Sequence, residues 1–110
     1  MYSPPIFTFI LELLVLLDSF DGLFKHRAEN DDGIKNIHRQ LLDILKSRGV
    51  EPIESLGKEF NPEEHESIGE IEIGVDNKTK EGIIIEEIRK GYKMHDKIIR
   101  PAQVKIGKYK

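Results

Sequence analysis

Residues 82–106, GIIIEEIRKGYKMHDKIIRPAQVKI, carry the pattern from which the architecture of this 110-residue chain can be predicted. Apolar residues stand on both sides of the Lys90-Gly91 break, and beyond Pro101 they alternate with polar ones, at Ala102, Val104 and Ile106. Runs of this kind, bounded by Gly and Pro, indicate short β-strands separated by turns. We therefore expect strands with one apolar face towards a small core and one basic face towards solvent.

No group of side chains in the sequence has the spacing of an active site. The serines stand outside any nucleophile-elbow motif, and no glycine-rich phosphate loop occurs. Carboxylates are frequent, but they alternate along predicted strands or stand in turns, as solvated faces do. We expect no enzyme activity and no cofactor, and we interpret residues 82–106 as a docking surface.

The four histidines do not have the spacing of a metal site. His65-Glu66 is like half of a zinc-binding helix motif, but Gly69 stands where the second ligand is required. His38 has no metal-binding side chain four residues later. We expect no metal, and we expect His65 to order the turn that follows Asn61-Pro62.

The charge of the chain is divided unevenly along its length. Residues 89–110 contain eight Lys or Arg and one acid, a net charge of +7, whereas the rest of the chain has nine basic and nineteen acidic residues, a net charge of −10. This split is compatible with an acidic partner surface, with nucleic acid or with a merely solvated face. The basic strands lack the evenly spaced exposed aromatics of a base-stacking platform, so we keep nucleic-acid binding only as an alternative.

The chain contains no cysteine, which rules out disulfides and thiolate zinc sites and fits a reducing compartment.

Residues 6–27 are predicted to form a first helix, and 13 of the 19 residues from Ile6 to Phe24 are apolar. This apolar run is too short to span a bilayer and contains Glu12, so we expect no membrane segment. A helix that is apolar around most of its circumference needs to be buried on several sides.

A second helix is predicted from Asp32 to Arg48. Asp31 or Asp32 can cap its beginning, and Gly49 can provide the left-handed residue after its end. The loop from Ala28 to Asp31 is short, so the two helices should lie antiparallel. One partner helix cannot cover the first helix, so we expect two hairpins to form a dimeric four-helix bundle, with the following interface: Ile10, Leu13, Leu14, Leu17, Phe20, Phe24, Ile37, Leu41 and Leu45.

Beyond Gly49 the sequence predicts a β-lobe. Val50–Ile53 reads as an extended lead-in because Pro52 disfavours helix at Glu51. Residues 61–64 read as a turn capped by Asn61, residues 67–73 as a strand, and residues 76–80 as a polar tip. The prediction is an α+β protein with a helical dimerisation region at residues 1–49 and a small all-β C-terminal lobe of four or five strands at residues 50–110.

Several dispersed motifs stand in the order and spacing of a known family. They are EIRKGY at 87–92, DKIIRPA at 96–102 with Val104 and Ile106, IHRQLLDIL at 37–45, RGVEPI at 48–53, FNPEEHE at 60–66, and LL at 13–14 followed by LDSF at 17–20. On these motifs, which run from about residue 10 to residue 108, the chain resembles GrpE, the nucleotide exchange factor of Hsp70 (DnaK) chaperones.

The resemblance implies a homodimeric co-chaperone, which we expect in the cytoplasm, of a bacterium by default, with an organelle matrix or an archaeon as the alternatives. Its β-lobe would bind the Hsp70 nucleotide-binding domain, favour an open cleft and so release ADP. The position of each residue within the family motif implies the following contacts: Arg89, Lys90, Tyr92, Met94, Lys97, Arg100, Pro101 and Ile106. Lys97 stands where the family commonly has Arg, so a carboxylate partner there would lose the two-pronged guanidinium contact.

The sequence departs from the family at its beginning. Family members usually carry a long coiled-coil helix before the bundle, whereas Met1 to Pro5 stands almost at the bundle here, and Pro4-Pro5 disfavours helix upstream. We therefore expect a shortened homologue or a fragment with a weaker dimer. A dimerisation module without exchange activity remains the alternative to an active exchange factor.

Overall fold

The computed structural model of the chain describes residues 4–26, 30–74 and 81–109, and it has two helices followed by six strands in that part. The α+β class predicted from the sequence is confirmed. The chain divides into two compact units, Met1–Ile44 and Leu45–Lys110. We refer to these as the helical unit and the β unit.

The two helices form close to where the sequence predicts them. Helix α1 spans Pro4–His26 and helix α2 spans Asp32–Ser47. The Ile34 backbone N–H donates to Asp31 Oδ1 at 3.0 Å, so Asp31 is the N-cap of α2. Gly49, with a φ of 86°, ends the helix in the left-handed conformation. The predicted loop from residue 28 to 31 lies partly outside the described residues. Neither helix, over the part described, combines the length and apolarity needed to cross a bilayer.

An aromatic cluster joins the two helices. The ring of His38 lies 5.4 Å from that of Phe20 and 5.0 Å from that of Phe24, between ring centres. Its Nε2 lies 3.9 Å from Asp21 Oδ1. Phe20 precedes the end of α1 by six residues and His38 follows the start of α2 by six, which is the register of an antiparallel hairpin.

The apolar residues of α1 lie on two different faces. Ile10, Leu14 and Leu17 are buried within the single chain. A second row stays exposed or half-exposed and follows the alternating three- and four-residue steps of a heptad: Ile6, Phe9, Leu13, Leu16, Phe20 and Leu23. On α2 the same steps pass through Ile34, Ile37 and Leu41, of which Ile37 is exposed. We call these two rows the exposed seams of α1 and α2.

In the described part of the β unit, six strands make two three-stranded sheets. The first sheet is antiparallel throughout and has the order β1 (Val50–Pro52), β4 (Tyr92–Met94), β5 (Lys97–Arg100). The second has the order β2 (His65–Ile73), β6 (Ala102–Tyr109), β3 (Ile84–Arg89), with β2 parallel and β3 antiparallel to β6. The structure thus has at least one strand more than the four or five predicted.

The additional strand is the predicted extended lead-in. Val50–Pro52 pairs with β4 as the edge strand β1, where a proline is tolerated because its missing N–H can face away from the partner strand. The pairing of β2 with β6 was not predicted, because parallel partners far apart in sequence leave no local signal. The predicted polar tip at residues 76–80 lies outside the described residues.

The second sheet contributes a hydrophobic core cluster. Ile84, Ala102 and Val104 are buried together, with Phe60 and Ile106 packed against them. Each large aliphatic side chain buried in this way contributes on the order of 1.5–3 kcal/mol. The first sheet buries Val50, Tyr92 and Met94. The alternation predicted for residues 102–106 therefore does define a core face.

His65 orders the turn before β2, as the sequence predicts. Its Nδ1 accepts the Asn61 backbone N–H at 2.9 Å, while Asn61 Oδ1 accepts the backbone N–H of Glu63 at 2.9 Å. The imidazole is buried and its ring centre lies 5.9 Å from that of Phe60. A buried side chain in this position ties the turn at residues 61–64 to the core cluster.

The turn between β4 and β5 contacts Gly49. His95 and Asp96 have φ values of 49° and 70° and connect the paired residues Met94 and Lys97, as in a two-residue type I′ hairpin. The His95 backbone N–H donates to the Gly49 carbonyl at 3.1 Å, and the imidazole occupies the space where a Gly49 side chain would be. Gly49 is thus required both by its φ and by its neighbour.

Replacing Gly49 by Ala should destabilise the protein by about 2 kcal/mol or more, because a left-handed alanine costs roughly 1–2 kcal/mol and its Cβ would overlap His95. Urea unfolding measures the loss. In a His95→Ala background the same change should cost less, since the overlap is removed. Gly22→Ala, in α1 with no atom within 4 Å, is the control and should be neutral or stabilising. Equal losses in both His95 backgrounds would contradict the steric account.

Candidate partner-binding surface

The topology places five of the eight predicted contact residues on or next to the two chain segments that pass between the sheets. One segment is Lys90-Gly91, between β3 of the second sheet and β4 of the first. The other is Pro101, between β5 of the first sheet and β6 of the second. Arg89, Tyr92 and Arg100 adjoin these segments. Met94 and Lys97 instead pair at the turn end of the β4–β5 hairpin, and Ile106 lies within β6 and packs against the core cluster.

Strand β4 divides the predicted contacts between an inner and an outer face. Tyr92 and Met94 are 1% and 4% exposed, so they point into the β unit. Lys93 lies between them and is half-buried, so it points to the opposite face. There it stands opposite Glu51 of β1 and Ile98 of β5. Lys93 therefore belongs to the outer surface, although the predicted contacts did not include it.

Arg100 is buried and holds the backbone between β3 and β4. Its side chain is bent back so that Nε and Nη2 both donate to the Lys90 carbonyl, at 3.0 and 2.6 Å. The guanidinium carbon lies 5.2 Å from the centre of the Tyr92 ring, within the range of a cation–π contact. Arg100 is only 7% exposed. The side chain thus links β5, β4 and the Lys90 peptide in one cluster.

Gly91 lets the two inter-sheet segments touch. A Cβ on Gly91 would overlap the backbone nitrogen of Ala102 and would lie 2.8 Å from the Arg100 carbonyl oxygen and from the Pro101 carbonyl carbon. The Gly91 carbonyl in turn accepts the Ile53 backbone N–H at 2.9 Å. Backbone on several sides leaves no room for a side chain, and this is a physical reason for the glycine in the predicted Lys90-Gly91 break.

Acidic neighbours interrupt the basic surface predicted from the sequence. Lys90 Nζ pairs with Glu87 Oε1 at 3.2 Å, and Lys105 Nζ lies 3.9 Å from Glu86 Oε1. The basic residues of the C-terminal strands are therefore mixed with carboxylates of β3. This mixing does not favour the long phosphate track that nucleic-acid binding would need.

Side chains that remain accessible form a mixed polar and apolar surface. Lys97 is exposed, while Lys90 and Pro101 are partly exposed. Leu56 and Ile88 are 59% and 38% exposed, and the prediction did not include them. Leu56 could not be assigned from sequence because it stands in an irregular segment, and Ile88 is displaced by an irregularity of register between Glu87 and Arg89.

Arg89 is the remaining predicted contact. The Arg89 Nε is buried and has no hydrogen-bond partner in the structure, although the residue as a whole is only half-buried. Over residues 4–26, 30–74 and 81–109, no group of three His, Cys, Asp or Glu side chains could hold a metal ion. The arrangement suits the binding of a protein surface by apolar contact and scattered charge.

Comparisons with known proteins agree with the sequence resemblance. A family model described as GrpE matches residues 3–108. Protein GrpE of Methanothrix thermoacetophila is 40% identical over 100 residues, which cover 91% of this chain and 52% of the relative. Protein GrpE of Bacillus pumilus and that of Bacillus subtilis are each 38% identical over 104 residues, 89% of this chain and 55% and 54% of theirs. The chain spans about half the length of the curated relatives it matches.

Gly91→Ala should destabilise the β unit by about 3 kcal/mol, because the added methyl meets backbone atoms that cannot move independently. Thermal and urea unfolding provide the measurement. Gly74→Ala is the matched control, since a Cβ there has no neighbour within 4 Å, and it should change stability little. Similar losses for the two variants would show that the close approach at Gly91 does not constrain the fold.

Proposed function

The chain belongs to the GrpE family, and we propose that it is a co-chaperone that binds the nucleotide-binding domain of an Hsp70 (DnaK) chaperone and promotes ADP release. The observation that carries the proposal is the family match over residues 3–108, which includes the β unit up to Lys108. The mixed apolar and charged surface of that unit supports it. We place the interaction in the cytoplasm.

The proposed mechanism is a shift of population in the partner. The β unit binds the open conformer of the nucleotide-binding domain more tightly than the closed conformer that holds ADP, so the open conformer becomes more abundant. By reciprocity, ADP weakens the binding of this chain by the same factor by which this chain weakens the binding of ADP. The chain itself makes and breaks no covalent bond, and the mechanism requires no catalytic residue in it.

The accessible side chains are the proposed contacts. Lys90, Lys97 and Pro101 are at least partly exposed, and Lys93 joins them on the outer face of the first sheet. Tyr92, Met94 and Arg100 are buried, so we propose that they support this surface from within. Arg89 and Ile106 are half-buried and contribute whichever edge a partner can reach.

We also propose that two copies of the chain associate through the exposed seams of the helical unit. Phe9 and Leu16 on α1 are 62% and 47% exposed, and Ile37 on α2 is 57% exposed. Heptad spacing of such side chains is the pattern of helices that pack side by side. Leu14 and Leu17, which the sequence assigned to the interface, are already buried inside one chain, so the seam residues are the better candidates for contact.

Lys97→Glu should reduce both partner affinity and the stimulated rate of ADP release, by roughly tenfold, because a rim charge steers association and pairs with the opposite surface. Stopped-flow release of a fluorescent ADP analogue from the cognate chaperone, with and without this chain, gives the rate. Lys108→Glu makes the same charge change on an exposed residue of β6 and serves as the control.

No acceleration by the unaltered chain would contradict the proposed exchange activity and leave the dimerisation module as the explanation of the fold. Acceleration that survives Lys97→Glu would instead remove Lys97 from the contact surface.

Leu16→Lys should weaken the dimer by about a hundredfold or more, because each of the two Leu16 side chains that association would bury contributes roughly 1.5–3 kcal/mol and two like charges are brought together. Sedimentation equilibrium at several micromolar concentrations measures the effect. Thr8→Lys places the same side chain at an exposed polar position of α1, about two turns from Leu16 and outside the seam, and should leave the mass unchanged. A monomeric unaltered chain at all concentrations would contradict the proposed association.

A further inference from the structure

We propose that Arg100 is a positioning residue for partner binding, which acts by fixing Lys90 without touching the partner itself. This inference rests on the proposed function and goes beyond it, because the family resemblance implied direct contact for Arg100. The observations that carry it are the burial of the guanidinium, its two hydrogen bonds to one carbonyl and the separate restraint on the Lys90 side chain.

The Arg100 side chain is almost inaccessible to a partner. Arg100 is 7% exposed, and its Nε and Nη2 converge on the Lys90 carbonyl oxygen at 3.0 and 2.6 Å. The Tyr92 ring lies against its guanidinium and is itself 1% exposed. A rigid partner therefore reaches very little of this side chain. Its charge is used within the β unit, in hydrogen bonds strengthened because the donor is ionised.

Lys90 is restrained both at its backbone and at its ammonium group. Its carbonyl is held by Arg100, and its ammonium is held by Glu87 Oε1 at 3.2 Å. The Lys90 side chain is 42% exposed, whereas that of Glu87 is 10% exposed, so the lysine presents its outer side to solvent while its carboxylate partner is largely covered. A long, mobile side chain restrained at both ends loses less freedom when a partner binds. Arg100 and Glu87 thus preorganise one accessible positive charge.

The two donors of Arg100, Nε and Nη2, form a rigid fork on the Lys90 carbonyl. A lysine at position 100 would keep the positive charge but could not place two donors in fixed directions on one carbonyl. It would also contact the Tyr92 ring with a compact ammonium group. Arg100→Lys consequently separates the geometry of the fork from the charge, which a change to a neutral residue would not do.

The test is a double-mutant cycle of Arg100→Lys and Lys90→Ala in the full chain, with binding to the nucleotide-free nucleotide-binding domain of the cognate Hsp70 measured by calorimetry. Arg100→Lys should weaken binding by about tenfold in the unaltered background and by less than about twofold when Lys90 is already Ala. Unfolding curves measured in parallel show whether each variant is folded at the assay temperature. A role in folding alone predicts no dependence on Lys90.

A second variant tests the same role without changing the buried Arg100 side chain. Glu87→Gln releases the ammonium end of Lys90 without altering Arg100, and it should weaken binding by about threefold, again only when Lys90 is present. Equal losses for Arg100→Lys in both Lys90 backgrounds would overturn the positioning role. Normal affinity of Arg100→Lys together with weak binding of Lys97→Glu would overturn it while leaving the proposed function intact. No binding by the unaltered chain would overturn both.

Discussion

The contact between the two segments that pass from one sheet to the other is the constraint on which the β unit depends. Gly91 lies so close to the backbone of Arg100, Pro101 and Ala102 that only a hydrogen fits at its Cα. Its carbonyl also accepts the N–H of Ile53, which follows β1. This contact holds the two described sheets, of three strands each, against each other. Such strands need this support because isolated strands and hairpins are at best marginally stable in water.

That contact also decides which side chains of β4 and β5 face solvent. Because β4 starts directly after Gly91, its alternation sends Tyr92 and Met94 inward and Lys93 outward. Because β5 ends at Arg100, directly before Pro101, the guanidinium is placed to reach back to the Lys90 carbonyl. A basic segment in the sequence therefore becomes partly internal structure and partly exposed surface. The proposed exchange activity would use only the second part.

The local features of this fold could be predicted, and the long-range ones could not. The Asp31 cap, the left-handed Gly49 and the turn ordered by His65 depend on residues within a few positions of each other. The parallel pairing of β2 with β6 joins residues that are 36 or 37 positions apart in the sequence, and no local periodicity encodes it. The burial of Arg100 was equally hidden, because a strand-end arginine beside lysines looks like surface until its carbonyl acceptor is known. The sequence assigns Leu14 and Leu17 to the dimer interface, but packing within one chain buries them and leaves Phe9 and Leu16 exposed.

The central claim is that the β unit binds a relaxed, nucleotide-free conformer of an Hsp70 ATPase domain in preference to its ADP-bound conformer. The most direct test is calorimetric titration of this chain into that domain with and without saturating ADP, together with titration of ADP into the domain with and without saturating chain. We predict that each ligand weakens the other by the same factor, larger than tenfold. Equal affinity of the chain for both states would contradict the account.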